Sequence, residues 1–379
     1  MGNTCLEVTT IRVRQAFRYE LAPTRRQANL LARAAGTARY AFNWGLNLAC
    51  ALIGKKLSVP SATELHRMWN VDKRENAPWW DEVSKCAPQE ALRDVRRAFD
   101  TFFASRQGKR AGPRVGFPRF RKKGRDDRFR LTGSIRVGRR AVKLPRIGWV
   151  RTKEQTAKFR GRVLSATVRR EADRWYVSLA VEVERPDPRP ASGGVVGVDL
   201  GLTAFAVLSD GMIVAPAKAL GRAIRALRRR SKAHSRKQRG SKRRRKSALA
   251  LARLHRRVRN RRQDFHHQLS TRLTKTKSVI VIEDLAVKNM VRNRHLSRAV
   301  ADAGWGEFRR MLEYKGKWYG CRIVVADRFY PSSKTCSGCG AVKAELALSE
   351  RVFACGACGL VIDRDLNAAI NLEHLAQAV

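Results

Sequence analysis

The sequence predicts an α/β plus β-barrel protein. Its C-terminal α/β domain would carry a metal-binding knuckle, and its N-terminal barrel would carry a helical insertion. Three observations lead there. Short apolar runs at 195–200, 279–285 and 322–327 read as buried strands, interleaved with long helix-spaced patterns. Period-two alternation over 11–21 and a hairpin pattern over 165–183 mark a second β region, with helical spacing between them. Two C-x-x-C pairs sit near the C-terminus.

The charge sets the partner. Lys and Arg number 80 against 32 acidic residues over 379 positions, a formal net charge of +48 with pI near 11.4. Such a chain repels itself unless a polyanion neutralises it, so nucleic acid is the first expectation and an anionic membrane the competing one. No run of about 18 apolar residues appears. No secretory leader is expected, and residues 1–6 lack the Ser/Thr of a myristoylation site. No membrane partner is expected. Of eight cysteines, Cys5, Cys50, Cys86 and Cys321 are scattered and four cluster. That usage suits a reducing cytoplasm, with the protein held at the nucleoid through DNA.

In chain order, the strand at 11–21 ends at Pro23, and Thr24 with Gln27 forms a capping box. The helix that follows buries Leu30, Leu31, Ala34, Ala38, Phe42 and Leu46. Further helical pieces cover 65–69 and 88–103, where Ala91, Leu92, Val95, Phe99 and Phe102 make a core stripe. Residues 116–123 mix aromatics with Arg119, Arg121, Lys122 and Lys123, which suits an exposed phosphate-contacting loop. The hairpin turns near Ala172, and with the first strand it could make a small barrel. Pro186, Pro188 and Pro190 form a stiff linker and a domain boundary.

Beyond the linker, Asp199 stands within an apolar strand pattern, where a lone carboxylate costs several kcal/mol unless paired or bound to metal. A second strand closes on Asp210-Gly211. Residues 219–230 look helical, 231–246 look like a mobile loop, and a helix resumes at Ser247 with Leu251, Leu254, Val258, Phe265, Leu269 and Leu273 inward. Arg228, Arg229, Arg243, Arg244, Arg245, Arg256 and Arg257 make this stretch a nucleic-acid contact. Trp305, Phe308, Leu312 and Trp318 face inward from a later helix.

Acids close three separate elements: Asp199, Glu283, and Asp363 or Asp365 ahead of the last helix. Carboxylates converging from separate elements match two divalent cations about 4 Å apart, and an all-oxygen site suits Mg²⁺. Cys336-Ser337-Gly338-Cys339 and Cys355-Gly356-Ala357-Cys358, fifteen residues apart, suit closed tetrahedral zinc with a structural role. The histidines show no ligand spacing.

Gly197-Val198-Asp199-Leu200-Gly201, Val281-Ile282-Glu283-Asp284-Leu285, the cysteine knuckles and Asp363-Arg364-Asp365-Leu366-Asn367-Ala368-Ala369 resemble the TnpB (OrfB) proteins of bacterial insertion sequences. So do residues 17–24, 38–44, 116–120 and 331–336, and the resemblance covers nearly the whole chain. It implies a RuvC-type RNase H nuclease domain over 191–379, with a zinc ribbon inserted at 330–362. It implies a wedge β-barrel from 1–21 and 113–188, with a helical recognition domain at 22–112. It implies RNA-guided cleavage of double-stranded target DNA by a monomer carrying a guide RNA from the transposon end. The family's Asp-x-Asn-Ala-Ala motif selects Asp365 over Asp363, giving Asp199, Glu283 and Asp365 as catalytic Mg²⁺ ligands. Two other readings stand beside it: a nucleic-acid binder of transposition that does not cut, and a transposase acting directly on DNA ends.

Overall fold

The computed structural model describes residues 10–156, 160–189, 191–347 and 349–377. Cys5 and the rest of 1–9, expected to open the barrel, lie outside the described residues, as do 157–159, Pro190, Leu348 and the last two positions. The chain divides between Arg185 and Pro186 into two compact units.

The first unit opens with β1 (Thr10–Ala22) and α1 (Arg25–Gly54). The Thr24 hydroxyl accepts from Gln27 N at 3.3 Å, and Gln27 Oε1 accepts from Thr24 N at 3.0 Å. This reciprocal cap satisfies two donors at the start of α1. Ser61 and Glu64 open α2 (Ala62–Asn76) the same way. Leu31, Ala34, Ala38, Phe42 and Leu46 of α1 are buried against Leu92, Val95 and Phe99 of α3 (Cys86–Arg106), whereas Leu30 is half-buried.

Six more strands follow: β2 (Arg128–Leu131), β3 (Arg136–Val137), β4 (Ala141–Leu144), β5 (Gly148–Thr152), β6 (Arg162–Glu171) and β7 (Arg174–Pro186). Ala172, at φ 58°, makes the tight turn of the β6–β7 hairpin. The sheet runs β2-β6-β7-β1-β5-β4-β3. Among the described residues no ladder joins β2 to β3, so the pairing gives a seven-stranded sheet with two ends rather than a closed barrel.

The second unit is built on β8 (Val195–Asp199), β9 (Ala206–Leu208), β10 (Ile213–Val214), and the later β11 (Val279–Ile282) and β12 (Arg322–Val325). The order is β10-β9-β8-β11-β12. The first three strands are antiparallel and β8, β11 and β12 are parallel. Between β10 and β11 lie α4 (Ala219–Ser235) and α5 (Lys242–Thr276). The mobile loop expected over 231–246 is therefore largely helix. Arg and Lys are good helix formers, so density of charge does not break a helix. Ser241 caps α5 by accepting from Arg244 N at 3.1 Å, and only 236–241 remain as the connection.

Three helices, α6 (Val287–Met290), α7 (Ser297–Ala303) and α8 (Trp305–Tyr319), separate β11 from β12. A hairpin of β13 (Val352–Ala354) and β14 (Val361–Asp363) leads into α9 (Arg364–Gln377). Leu269 and Leu273 of α5 and Phe308 and Leu312 of α8 share a core with Val196, Val198, Ile280 and Ile282. Leu372 and Ala376 of α9 share another with Val281 and Ala326. Alternate strand residues thus serve opposite faces, and helices cover both. Buried Lys315 ties α8 to α5, its ammonium donating to His267 O, Ser270 Oγ and Thr271 Oγ1 at 2.7–2.8 Å. Burial pushes its pKa down to about 8.

Gly197 lets α9 approach β8. A Cβ there would stand 1.9 Å from Ala369 O and 2.6 Å from Glu373 N, both backbone atoms that cannot step aside. Gly197→Ala should lower unfolding stability by about 1–3 kcal/mol, the usual range for overpacking. Denaturant unfolding checks this; an unchanged midpoint would contradict so close a packing.

Candidate active site

The strand register brings the acids together. Asp199 is the last residue of β8, Ile282 pairs with Val198, and Glu283 directly follows β11. Asp199 and Glu283 therefore stand side by side at the carboxyl ends of parallel neighbours. Asp365 lies in the first turn of α9, which packs on β8. Burial pushes the Asp199 carboxyl well above its ordinary range, and the nearby charges of Glu283 and Asp365 push it further. Burial also raises Glu283; its hydrogen bond with Ser332 and the Arg364 guanidinium pull it down, and Asp365 pushes it up. The three carboxylates do not all come within 4.8 Å of one another. Two desolvated acids raised by burial and by the charge of Asp365 are a set that divalent cations would relieve, and the oxygen donors of all three fit Mg²⁺.

Asp363 has a different task. Its Oδ1 accepts from Asp365 N and Leu366 N, both at 3.0 Å, and caps α9. The Asp365 carboxylate takes no part in that cap, and its charge acts on both Asp199 and Glu283, while that of Asp363 also raises Asp199.

Several residues went unassigned in the sequence. Ser332 Oγ donates to Glu283 Oε1 at 2.6 Å. Asn371 Nδ2 donates to Ser332 O at 2.8 Å and to Thr335 O at 2.6 Å, and Asn367 Nδ2 donates to Thr335 O at 2.7 Å. Ser337 N returns a bond to Asn367 Oδ1 at 2.9 Å. Both asparagines are buried, and their i, i+4 spacing puts them on one face of α9. That face holds the segment leading into the cysteines. The spacing was readable; the partner segment was not.

The four cysteine sulfurs all lie within 4.8 Å of one another. Cys336–Cys358 and Cys339–Cys355 are each 3.6 Å apart. Bonds of about 2.3 Å to tetrahedral zinc set sulfurs at about 3.8 Å, so the cluster fits that ion with no position left open. The knuckles match: Gly340 N donates to Cys336 O and Gly359 N to Cys355 O, and these glycines sit at φ 77° and 74°. The glycine after each second cysteine was a signal the spacing argument overlooked. The backbone N–H groups of Cys358 and Ala357 lower the Cys355 thiol to about 6, while crowding by the neighbouring sulfurs pushes the Cys339 and Cys358 thiols up, a crowding that a bound metal would relieve.

The basic candidates divide. Arg119, Lys122, Lys123, Arg228, Arg229, Arg243, Arg245 and Arg257 are exposed, and Arg256 is half-buried. Arg121 departs from the expected phosphate loop: its guanidinium bonds Asp94 at 2.8 Å and lies 3.7 Å over the Phe42 ring. Arg244 is also drawn inward, donating to Lys237 O at 2.6 Å across the α4–α5 connection. A cation satisfied inside its own fold is not free for phosphate. His266 is buried with Nε2 2.8 Å from Ala303 O, an ordinary structural role.

Three family models match: the OrfB_IS605 model, described as "Probable transposase", over 178–294, the Cas12f1-like TNB domain over 305–372, and a helix-turn-helix domain over 13–50. A Mycobacterium tuberculosis protein, named provisionally as an RNA-guided DNA endonuclease, is 41% identical over 95% of this chain and 86% of its own. The chain belongs to the TnpB (OrfB) family. Escherichia coli InsQ, with the same provisional name, is 31% identical over 96% of this chain and 93% of its own. A solved Cas12f1–sgRNA–target DNA complex aligns over 95% of this chain and 99% of its own at 15% identity, with a TM-score of 0.36. In this TnpB-family chain the first model spans β8 and β11 with Asp199 and Glu283, and the second spans the cysteines and Asp365. The helix-turn-helix span holds one strand and one helix, β1 and α1. Among the described residues no helix is long and apolar enough to cross a membrane.

Two outcomes are expected. Native mass spectrometry should find one zinc per chain, and Cys336→Ser should lose it and lower the melting temperature. For Asp199 the folded pKa lies above the unfolded one, so its contribution is fully present below the unfolded pKa of about 3.8 and lost as pH rises through the folded value. Metal-free protein should therefore lose stability as pH rises across that window, and Asp199→Asn should flatten the loss. Parallel curves for the two would remove Asp199 from the cluster.

Proposed function

We propose that the protein is a Mg²⁺-dependent, RNA-guided DNA endonuclease of a transposable element, with its nuclease centre at Asp199, Glu283 and Asp365. The observation that carries this reading is the convergence of two desolvated acids at parallel strand ends with Asp365 from the first turn of α9, whose charge raises both, in a family whose curated relatives are provisionally named as RNA-guided DNA endonucleases. Three antiparallel strands continued by two parallel ones support a RuvC-type RNase H fold for the second unit. The seven-stranded unit would serve as the wedge, with 22–112 as the recognition helices.

The chain's own residues do defined work in this reading. Asp199, Glu283 and Asp365 would hold the cations. Bound there, a cation pair supplies an activated water and steadies the leaving 3′ oxygen. Ser332 fixes the orientation of Glu283 through its 2.6 Å bond. Asn367 and Asn371 hold the Ser332 segment against α9, so the chain leading into the cysteines is tied to Glu283. The net charge of +48 offsets the phosphates of guide RNA and DNA, while base pairing to the guide supplies sequence selection. Zinc is structural in this scheme.

The test uses purified protein with the RNA it retains. Asp199→Ala should abolish Mg²⁺-dependent cutting of a matched DNA target while RNA retention stays at the parent level. Full cutting by RNA-free protein would overturn guidance, and full cutting by the variant would overturn the site.

A further inference from the structure

Phe329 is 87% exposed, more than any other large apolar side chain among the described residues. Single exposed apolar residues are ordinary on protein surfaces. The setting of this one is not. It lies in the turn after β12, and Ala326 N donates to Ile282 O at 2.8 Å, so the turn begins beside Glu283.

The turn is held from several sides. Asp327 Oδ1 accepts from Phe329 N at 2.8 Å, and Asp327 O accepts from Tyr330 N at 3.2 Å. The Arg328 guanidinium bonds the Asp284 carboxylate, which also bonds Arg309 at 2.6 Å. Tyr330 Oη donates to Asn371 O at 3.2 Å. Three residues beyond Phe329, Ser332 holds Glu283. The backbone on both sides is thus fastened to the acidic strand end and to α9, while the ring itself is left in water. Leaving a phenyl ring exposed forfeits apolar burial, and a turn this well tied has no need of one for its own stability.

We propose that Phe329 is a stacking platform for one unpaired nucleobase of the DNA strand entering the acidic site. The inference rests on the reading of Asp199, Glu283 and Asp365 as a nuclease centre. Every base offers a π-face, so stacking holds a strand without reading its sequence. That suits a protein whose sequence choice would come from a guide. A base within a duplex has both faces covered, so the platform takes a strand only where it is unpaired. Stacking on a turn anchored to Glu283 fixes the sugar-phosphate chain relative to the acids. Asp327, the exposed carboxylate of the turn, has one oxygen engaged by Phe329 N–H.

The experiment places 2-aminopurine at positions flanking the cut site of a target bound by RNA-loaded protein. The parent should quench its fluorescence at one of these positions. Phe329→Ala should lose the quench and cut about tenfold or more slowly, with RNA retention and melting temperature unchanged because the side chain is exposed. Phe329→Trp should restore both readouts, and Phe329→Leu should restore neither. Parental quench and rate in Phe329→Ala, or rescue by Leu, would overturn the platform. The quench needs no cutting, so a parent that binds and quenches but does not cut would sink the nuclease reading while leaving the stacking measured.

Discussion

Like-charge crowding at the carboxyl ends of β8 and β11 is the constraint to which the second unit answers. Asp199 and Glu283 are brought together by a parallel register that the apolar runs of both strands enforce. Neither acid can withdraw without pulling its strand out of the core. The fold therefore keeps two desolvated carboxylates adjacent and adds the charge of Asp365. Structure alone gains nothing from that arrangement; it is stable against its own repulsion because apolar packing on both sheet faces outweighs it.

The neighbouring elements moderate the strain locally. Arg364 lies one residue before Asp365 and pulls both Asp199 and Glu283 downward. Ser332 gives Glu283 a donor, and its segment is clamped to α9 by two buried asparagines. The cysteine cluster continues from that same segment. A thiolate cage thus sits one short loop from the acids, and rigidity imposed at the cage reaches Glu283 through covalent chain and hydrogen bonds rather than across open space.

Much of the secondary structure was legible because local chemistry dictates it. Thr24 with Gln27 announced α1, the helix-spaced apolar residues announced α3 and α5, and the alternation at 165–183 announced the β6–β7 hairpin. The misreading of 231–246 has the same origin: serine and glycine were weighted over the helix preference of Arg and Lys, although only six residues break the helices. Arg121 was misread for a different reason. Nothing in its neighbours along the chain shows Asp94 or Phe42 arriving from α3 and α1 to enclose it.

The sequence by itself determined the chemistry on offer: an excess of cations, paired cysteine knuckles, and acids at the ends of apolar runs and at a helix start. Those follow from residue type and short-range spacing. Only the tertiary structure decided which groups meet. The β8–β11 register sets Asp199 beside Glu283, Asp363 is taken up in capping α9, and Asn367 and Asn371 find their partners some 30–40 residues back in the chain. Such pairings depend on strand register and helix packing, which span distances along the chain that no local pattern encodes.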